Sequence, residues 1–366
     1  AGPAMMSSLG TRVMDNSHDQ GLGEVKLSCR NIWKVYAGHN APYFKSEVGK
    51  LATPELCTRM REDSAIPAAA GVSFDVHVGE IFVIMGLSGS GKSTVVRCLS
   101  RLVEATHGEI LLDGEDLLKK SDKDLIDIRR HKMGMVFQNF GLMPHLSVWD
   151  NIAFPLSLQG AGKKEQHEKV ARVIELVGLQ GRETSFPKQL SGGQQQRVGI
   201  ARSLAIEPEL WFLDEPFSAL DPLIRRQMQD EFLRIQKTLQ KSIVFITHDF
   251  LEALRIADRM MIMRDGQVVQ MGRPTDLIVN PADDYVREFT EEVPMVRVLT
   301  ANDVLDAKAK PGKAMPERDC DCTVEELLPL LAQSKSGVKA LRGGEAVGVV
   351  TASSVIAALA ADRGAA

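Results

Sequence analysis

One nine-residue stretch, GLSGSGKST at 86–94, restricts the possible folds of this chain more than any other feature. It follows the apolar run IFVIM at 81–85 and precedes a helical pattern, so it predicts a loop between a buried strand and a helix. Glycines in such a loop let successive backbone N–H groups point inward, which creates a concave site for an anion at the start of the helix. The pattern GxxxxGK[ST] in this context predicts a phosphate-binding loop in an α/β fold, and disfavours a Gly-Ser turn that binds nothing.

The side chains of this loop fit the polyphosphate of a nucleotide such as ATP together with Mg²⁺. Lys92 would reach the β- and γ-phosphates, and the hydroxyl of Ser93 would bind the metal ion. We expect the phosphates to be bound by Gly86, Ser88, Gly89, Ser90, Gly91, Lys92, Ser93 and Thr94.

Two adjacent carboxylates end a second predicted strand, in LWFLDE at 210–215. Asp214 is placed to hold Mg²⁺ through water, and Glu215 to polarise the water that attacks the γ-phosphate. By themselves, two such acids are explained equally well as an ordinary helix cap. The phosphate-binding loop upstream favours the catalytic interpretation.

The segment LSGGQ at 190–194 predicts a second anion site, because a serine and two glycines open a helix there. One chain would then hold two half-sites for one terminal phosphate. A two-fold dimer resolves this if Ser191, Gly192, Gly193 and Gln194 of one copy face the nucleotide of the other. Without the phosphate-binding loop, the same residues would be an ordinary helix N-cap.

These motifs, in this order, resemble those of the ABC ATPase family over roughly residues 25–290. The resemblance implies ATP hydrolysis, with a catalytic set of four residues: Glu215, His248, Gln138 and Lys92. It implies that Gln138, in VFQNF, contacts Mg²⁺ and the γ-phosphate and relays this to membrane subunits. It also implies that His248, in FITHD, contacts the γ-phosphate, whereas a lone histidine at a strand end is usually structural.

The same resemblance assigns two further nucleotide contacts. Asp221, in SALD at 218–221, would lie in a loop that crosses the dimer interface. Tyr36, in WKVYAG, would stack on the adenine, with Tyr43 or Phe44 as alternatives. An aromatic residue at a strand end is more often a packing residue.

Apolar runs alternate with helical patterns through most of the chain, which predicts an α/β core with a parallel sheet. By resemblance this is a RecA-like P-loop ATPase core with an inserted helical subdomain. The last segment resembles a single CBS unit, an α+β unit that would serve in ligand sensing, structural capping or dimerisation. We expect a disordered or tag segment at 1–22, the ATPase domain at 23–292 with its helical subdomain at about 139–200 and an insertion at 39–70, a linker at 293–320, and the CBS-like unit at 321–366.

Two longer stretches, VFQNFGLMPHLSVWDNIAF and SALDPLIRRQMQDE, resemble the ATPase subunits of importers for glycine betaine, proline betaine and choline. Carnitine and trimethylamine N-oxide fit equally well, and an importer of another small solute is the alternative. The implied partners are a second copy of this chain, transmembrane permease subunits and, indirectly, an external substrate-binding protein, which places the chain at the cytoplasmic face of the cell membrane. The docking surface for the permease would include several large apolar groups, unless these pack in the core: Phe140, Leu142, Met143 and Trp149.

The charge balance argues against nucleic acid as a partner, since 44 basic and 48 acidic residues give a net charge of −4. A soluble ABC protein that acts on DNA or ribosomes is a second hypothesis. DNA-repair relatives carry a long coiled coil or zinc modules between the phosphate-binding loop and LSGGQ. In this chain about 100 residues separate the two motifs, and their sequence predicts neither a coiled coil nor a zinc module. No apolar run reaches the roughly 18 residues of a membrane helix. The five scattered cysteines indicate a reducing compartment.

Overall fold

The computed structural model describes residues 23–36, 43–45, 47–136, 141–218, 220–291, 293–312 and 315–362. These residues form two compact units that divide between Leu277 and Ile278. The strands, numbered along the chain, are β1 Val25–Tyr36, β2 Ile66–His77, β3 Ile81–Met85, β4 His107–Leu112, β5 Glu115–Asp116, β6 Met133–Val136, β7 Leu210–Asp214, β8 Ser242–Thr247, β9 Arg259–Arg264, β10 Gln267–Gly272, β11 Glu317–Asp319, β12 Val338–Arg342 and β13 Glu345–Val350. The helices are α1 Thr53–Glu62, α2 Lys92–Leu99, α3 Asp122–His131, α4 Val148–Gln159, α5 Lys163–Leu176, α6 Gly192–Leu204, α7 Pro222–Leu239, α8 Phe250–Ile256, α9 Pro274–Val279, α10 Asp284–Thr290, α11 Val324–Gln333 and α12 Ala352–Asp362.

The first unit is built on a six-stranded sheet with the order β10-β9-β3-β8-β7-β6, parallel except for the pairing of β10 with β9. All side chains of β3 and β8 are buried, as expected for parallel strands that are covered on both faces. Met85 pairs with Thr247, and Asp214 pairs with Ile246. The carboxyl ends of β3, β8 and β7 therefore meet at one edge, which confirms the α/β core predicted from the apolar runs.

A second, antiparallel sheet has the order β2-β1-β4-β5 and packs on the first through a shared core. The rings of Phe74 on β2 and Phe82 on β3 stack with their centroids 4.8 Å apart. The insertion expected at 39–70 is shorter than predicted, because Ile66 and Pro67 already pair with Tyr36 and Val35. Between these strands lie two 3-10 turns and α1, which pack in a small cluster of their own: Trp33, Tyr43, Leu56, Cys57, Met60, Ala65 and Ala70. Residues 37–42 lie outside the described part.

The helical subdomain consists of α4, α5 and α6. The loop before α4 is anchored by Asn151, which is fully buried. Its Nδ2 donates to the carbonyl oxygens of Met143, Leu146 and Ser147 at 3.0–3.1 Å, and its Oδ1 accepts from Met143 N at 2.9 Å. One buried amide thus fixes the segment that follows Gln138, a residue outside the described ranges.

The second unit contains a three-stranded sheet, β11-β12-β13, with α10, α11 and α12. Part of the segment predicted as a linker at 293–320 contributes to its core, because Ala301 and Val304 are buried against α11 residues such as Val324 and Leu327. Val298 is buried as well. Burial of these apolar side chains explains why this part of 293–320 packs against the unit instead of forming an extended linker. The CBS-like assignment of this unit stays a prediction. Across the described residues, the structure contains no helix that is both long and apolar enough to cross a bilayer.

Candidate nucleotide-binding site

The phosphate-binding loop connects β3 to α2, where the sequence motif predicts it. Gly91 is the N-cap of α2 and has a φ of 99°, in the left-handed region. A Cβ atom at this position would lie 2.2 Å from the carbonyl oxygen of Ala68 and 3.3 Å from Cα of Gly266. Only glycine allows this close approach of the loop to β2 and to the turn between β9 and β10.

Lys92 lies at the centre of the loop and is only 6% exposed. Its Nζ donates to the carbonyl oxygens of Gly86 at 2.7 Å and Leu87 at 2.9 Å. Burial lowers the pKa of Lys92, while the carboxylates of Glu215 and Asp214 act in the opposite direction. An ammonium group is therefore held where the sequence predicts the terminal phosphates.

Two hydroxyl groups in the loop are placed for ligands. The Oγ of Ser90 is buried and has no hydrogen-bond partner among the described residues, which costs stability unless a ligand or water satisfies it. The Oγ of Ser93 donates to Oδ1 of Asp214 at 3.3 Å, across the sheet from β7. Hydroxyl and carboxylate oxygens are the donors that Mg²⁺ prefers, so these residues fit the implied nucleotide and metal ion. Ser88 and Gly89 are exposed, and Thr94 is half-buried in α2.

The two carboxylates after β7 occupy different environments. Burial raises the pKa of Asp214, while the hydrogen bond from Ser93 lowers it and the neighbouring Glu215 raises it further. Glu215 has a φ of 46°, which is rare for a residue with a side chain, and its N–H donates to the carbonyl oxygen of Ile246 at 3.1 Å. This turn directs Glu215 across the end of β8.

Glu215 and His248 are brought together although they are 33 positions apart in the chain. Oε2 of Glu215 lies 3.3 Å from Nδ1 of His248. The histidine side chain is 55% exposed and that of Glu215 is 19% exposed, so the pair stands at the surface of the site. The structure thus places a carboxylate and an imidazole, both predicted to be catalytic, within direct reach of each other.

The segment LSGGQ at 190–194 leads into α6 as predicted. Ser191 is the N-cap, its Oγ accepts from Gln194 N at 3.3 Å, and Oε1 of Gln194 accepts from Ser191 N at 3.0 Å. Ser191 and Gly192 are exposed, whereas Gly193 is buried, and a Cβ atom there would lie 2.9 Å from Cγ2 of Ile224 in α7. The capping box satisfies the N–H groups of Ser191 and Gln194 and leaves the outer face of the turn accessible.

Asp221 caps α7, since its Oδ1 accepts from Ile224 N at 3.1 Å. Its side chain is exposed in the single chain. Ala219, in the same loop, lies outside the described residues.

The three aromatic candidates for the adenine contact differ in exposure. Tyr36 is 47% exposed, with Nζ of Lys34 at 5.0 Å from the centroid of its ring. Tyr43 is 7% exposed, and Phe44 stacks on His107 at a centroid distance of 4.4 Å. Of the three candidates, Tyr36 is therefore the one whose exposure best suits stacking on an adenine.

Sequence reasoning missed a group of residues beside Glu215 and His248. Arg225, Asp249 and Glu252 line a small cavity together with Glu215 and His248. No motif marks them as a set, and only the position of Asp249 directly after His248 gives a local signal.

Comparisons with known proteins agree with these features. The family model described as ABC transporter matches residues 69–218. The trimethylamine N-oxide transport system ATP-binding protein TmoW of Ruegeria pomeroyi is 52% identical over 330 residues, 90% of this chain and 95% of the relative. The glycine betaine/proline betaine transport system ATP-binding protein ProV of Salmonella typhimurium is 43% identical over 342 residues, 93% of this chain and 84% of the relative. The solved dimeric structure of MJ0796, a bacterial ABC transporter cassette, is similar with a TM-score of 0.56 at 30% identity, covering 68% of this chain and 98% of that one.

Proposed function

Because this chain belongs to the ABC transporter family as one of its ATP-hydrolysing subunits, we propose that Lys92, Ser93, Asp214 and Glu215 form its hydrolytic centre. The observation that carries the assignment is the convergence of these side chains at one sheet edge. Ser93 contacts Asp214, and Glu215 contacts His248. The residues come from three strand ends that are adjacent only in the folded chain.

Each residue has a role that follows from its environment. Lys92 neutralises charge on the terminal phosphates, since its ammonium is already held inside the loop. Ser93 directly and Asp214 through water would hold Mg²⁺, which, when bound, would neutralise the charge that develops on the phosphate oxygens. Glu215 accepts a hydrogen bond from the attacking water and polarises it. His248 keeps this carboxylate oriented from the end of β8 and reaches toward the γ-phosphate.

A second copy of this chain completes the site in our proposal. The outer face of Ser191 and Gly192 and the side chain of Asp221 are exposed in the single chain. A helix N-terminus with free N–H groups attracts a phosphate, so this face would close on the nucleotide held by the other copy. The solved relative is described as dimeric, which supports the pairing of two copies. Closure with nucleotide and reopening after hydrolysis would convert ATP energy into movement of the partner subunits.

Transmembrane permease subunits are the proposed partners at the cytoplasmic face of the membrane. An open, mostly apolar groove of about 340 Å³ lies between α3 and the helical subdomain, and could receive a short helix of a permease. Its walls include Ile126 and Leu158, which are 43% and 49% exposed, and Arg130 is exposed beside them. Leu142, Met143 and Trp149, which we predicted for this role, are only half-buried, and Phe140 lies outside the described residues.

The proposed cargo is a small methylated amine, with trimethylamine N-oxide ahead of glycine betaine, choline, proline betaine and carnitine. The relative named for trimethylamine N-oxide is 52% identical over 95% of its length, whereas the ProV relative is 43% identical over 84%. The cargo would bind an external receptor and cross through the permease, so this chain provides energy and not selectivity.

The deciding experiment is ATPase activity of this chain, co-purified with its permease in lipid, with and without a binding protein loaded with each amine. We expect Mg²⁺-dependent hydrolysis that one loaded receptor stimulates. Glu215→Gln should retain ATP binding while turnover falls by about 10²–10⁴-fold, because only the activation of water is lost. Turnover by this variant at the wild-type rate would refute the role of Glu215, and activity that no loaded receptor changes would refute the cargo class.

A further inference from the structure

A charged cluster that lies outside the nucleotide-binding motifs adjoins the catalytic pair. The small cavity beside Glu215 and His248 has a volume of about 10 Å³, close to the space of one water molecule. Arg225, Asp249 and Glu252 form much of its wall. The hydrolytic mechanism described above uses none of these three charged groups.

Arg225 connects two segments that are distant in sequence. Its Nη2 donates to the carbonyl oxygen of Leu220 at 3.1 Å and more weakly to that of Ser218 at 3.5 Å. Its Nη1 lies 3.6 Å from Oδ2 of Asp249. Since Asp249 directly follows His248, one planar guanidinium joins the residues on either side of Ala219 to the segment that carries the histidine.

The carboxylate of Asp249 is held in a fixed orientation. Its Oδ1 accepts from Glu252 N at 3.1 Å, which caps α8, and its own N–H donates to Oγ1 of Thr247 at 3.0 Å. Oδ2 is the oxygen that faces Arg225. Asp249 is therefore hydrogen-bonded on both its backbone N–H and its Oδ1, and its Oδ2 lies between Arg225 and the backbone beside His248.

A second link keeps α7 and α8 together. Nε2 of Gln229 donates to Oε1 of Glu252 at 2.8 Å, and Nη1 of Arg255 donates to Oε1 of Gln229 at 3.3 Å. Gln229 and Glu252 are both buried. Buried polar networks of this kind hold packed elements in one relative position. Arg225 thus acts from a rigid base formed by the two helices.

Folding stability alone gives a poor explanation of Arg225. The ion pair with Asp249 is long and its two side chains are 28% and 34% exposed, so it contributes little to folding. The Nε of Arg225 is buried and has no hydrogen-bond partner among the described residues, which costs stability. The arrangement fixes geometry more than it stabilises the fold.

We propose that Arg225 is a positioning residue for ATP hydrolysis, which couples the interface segment at Ser218 and Leu220 to the position of His248 beside Glu215. Contact of that segment with a second copy of the chain then sets the geometry of the catalytic pair through one side chain. This inference rests on the proposed function, since it concerns the same hydrolytic centre. It adds to that centre a residue, Arg225, that is not among the predicted contacts to nucleotide or metal.

The test compares full-length chains carrying Arg225→Gln, Arg225→Lys, Asp249→Asn and the double change Arg225→Gln/Asp249→Asn. The matched control is Arg226→Gln, which removes the same charge from the next, exposed position of α7. We expect Arg225→Gln to lower kcat by about 100-fold, the effect of a small misplacement of catalytic groups, with ATP affinity within about twofold of wild type. Arg225→Lys should recover about tenfold of this loss, because a lysine can contact either segment but not both.

Thermodynamic coupling separates positioning from general damage. The double variant should lose no more activity than Arg225→Gln, because each single change already breaks the contact between Arg225 and Asp249. The inference is overturned if kcat of Arg225→Gln equals that of Arg226→Gln, if kcat and ATP affinity fall together, or if the losses in the double variant multiply. A wild-type chain that neither binds nor hydrolyses Mg·ATP would refute the proposed function itself, so the two failures are distinguishable.

Discussion

Alanine at Gly91 should destabilise the ligand-free protein far more than alanine at Gly89, although both glycines belong to the same loop. Gly89 has a φ of 80° and Gly91 a φ of 99°, so either substitution places an alanine in the left-handed region at a cost of about 1–2 kcal/mol. A Cβ atom at Gly89 would meet no atom of the described residues within 4 Å. At Gly91 it would lie 2.2 Å from the carbonyl oxygen of Ala68.

This oxygen cannot move easily, because Ala68 belongs to β2 and the adjoining chain is hydrogen-bonded. Ala70 N donates to Gly266 O at 2.8 Å, and Gly266 N donates to Ser90 O at 3.0 Å. Overpacking against a fixed neighbour costs about 1–3 kcal/mol. We therefore expect Gly91→Ala to lower the free energy of unfolding by about 2–5 kcal/mol, and Gly89→Ala by about 1–2 kcal/mol. The entropic effect of alanine on the unfolded chain is common to both variants and cancels in the comparison.

Urea unfolding followed by tryptophan fluorescence measures this difference. The three tryptophans, Trp33, Trp149 and Trp211, all belong to the first unit, so their signal reports on the unit that carries the loop. Gly91→Ala should also weaken ATP binding, because any relief of the collision moves the backbone beside Lys92. Equal stabilities of the two variants, or a lower stability of Gly89→Ala, would refute the argument from close approach.

Two further predictions use other parts of the site. Tyr36→Ala should raise the Kd for ATP about 5- to 150-fold, because it removes about 1–3 kcal/mol of stacking on the base. Phe44→Ala should leave this Kd nearly unchanged. Equilibrium binding of a fluorescent ATP analogue measures both, and a larger effect of Phe44→Ala would assign the adenine contact to Phe44. Burial raises the pKa of Glu252 above its ordinary 4.5, so the wild-type free energy of unfolding should fall as pH rises from 4.5 through the folded-state pKa. Glu252→Gln should therefore be more stable than wild type at pH 7 and lose this advantage below pH 4.5 in urea unfolding, and an advantage independent of pH would contradict the assigned cause.

Much of the fold was predictable because the signals are local. The strands β3, β7 and β8 are continuous apolar runs, which indicate burial on both faces without knowledge of their neighbours. The capping box at Ser191 and Gln194 is also a local pattern, and the structure contains it. The bounds of the insertion were less predictable, because the pairing of Ile66 with Tyr36 depends on strands that are separated in sequence.

By itself, the sequence determined the phosphate-binding loop, because its anion site is made by consecutive backbone N–H groups whose conformation the glycines set. It also determined which acids stand at a strand end. The tertiary structure alone decided that Ser93 reaches Asp214, that Glu215 reaches His248, and that Arg225 joins two distant segments. These contacts require the strand order β3-β8-β7 and the hydrogen-bonded placement of α7 beside α8. Both depend on burial of apolar surface over the whole unit, so no short stretch of sequence encodes them.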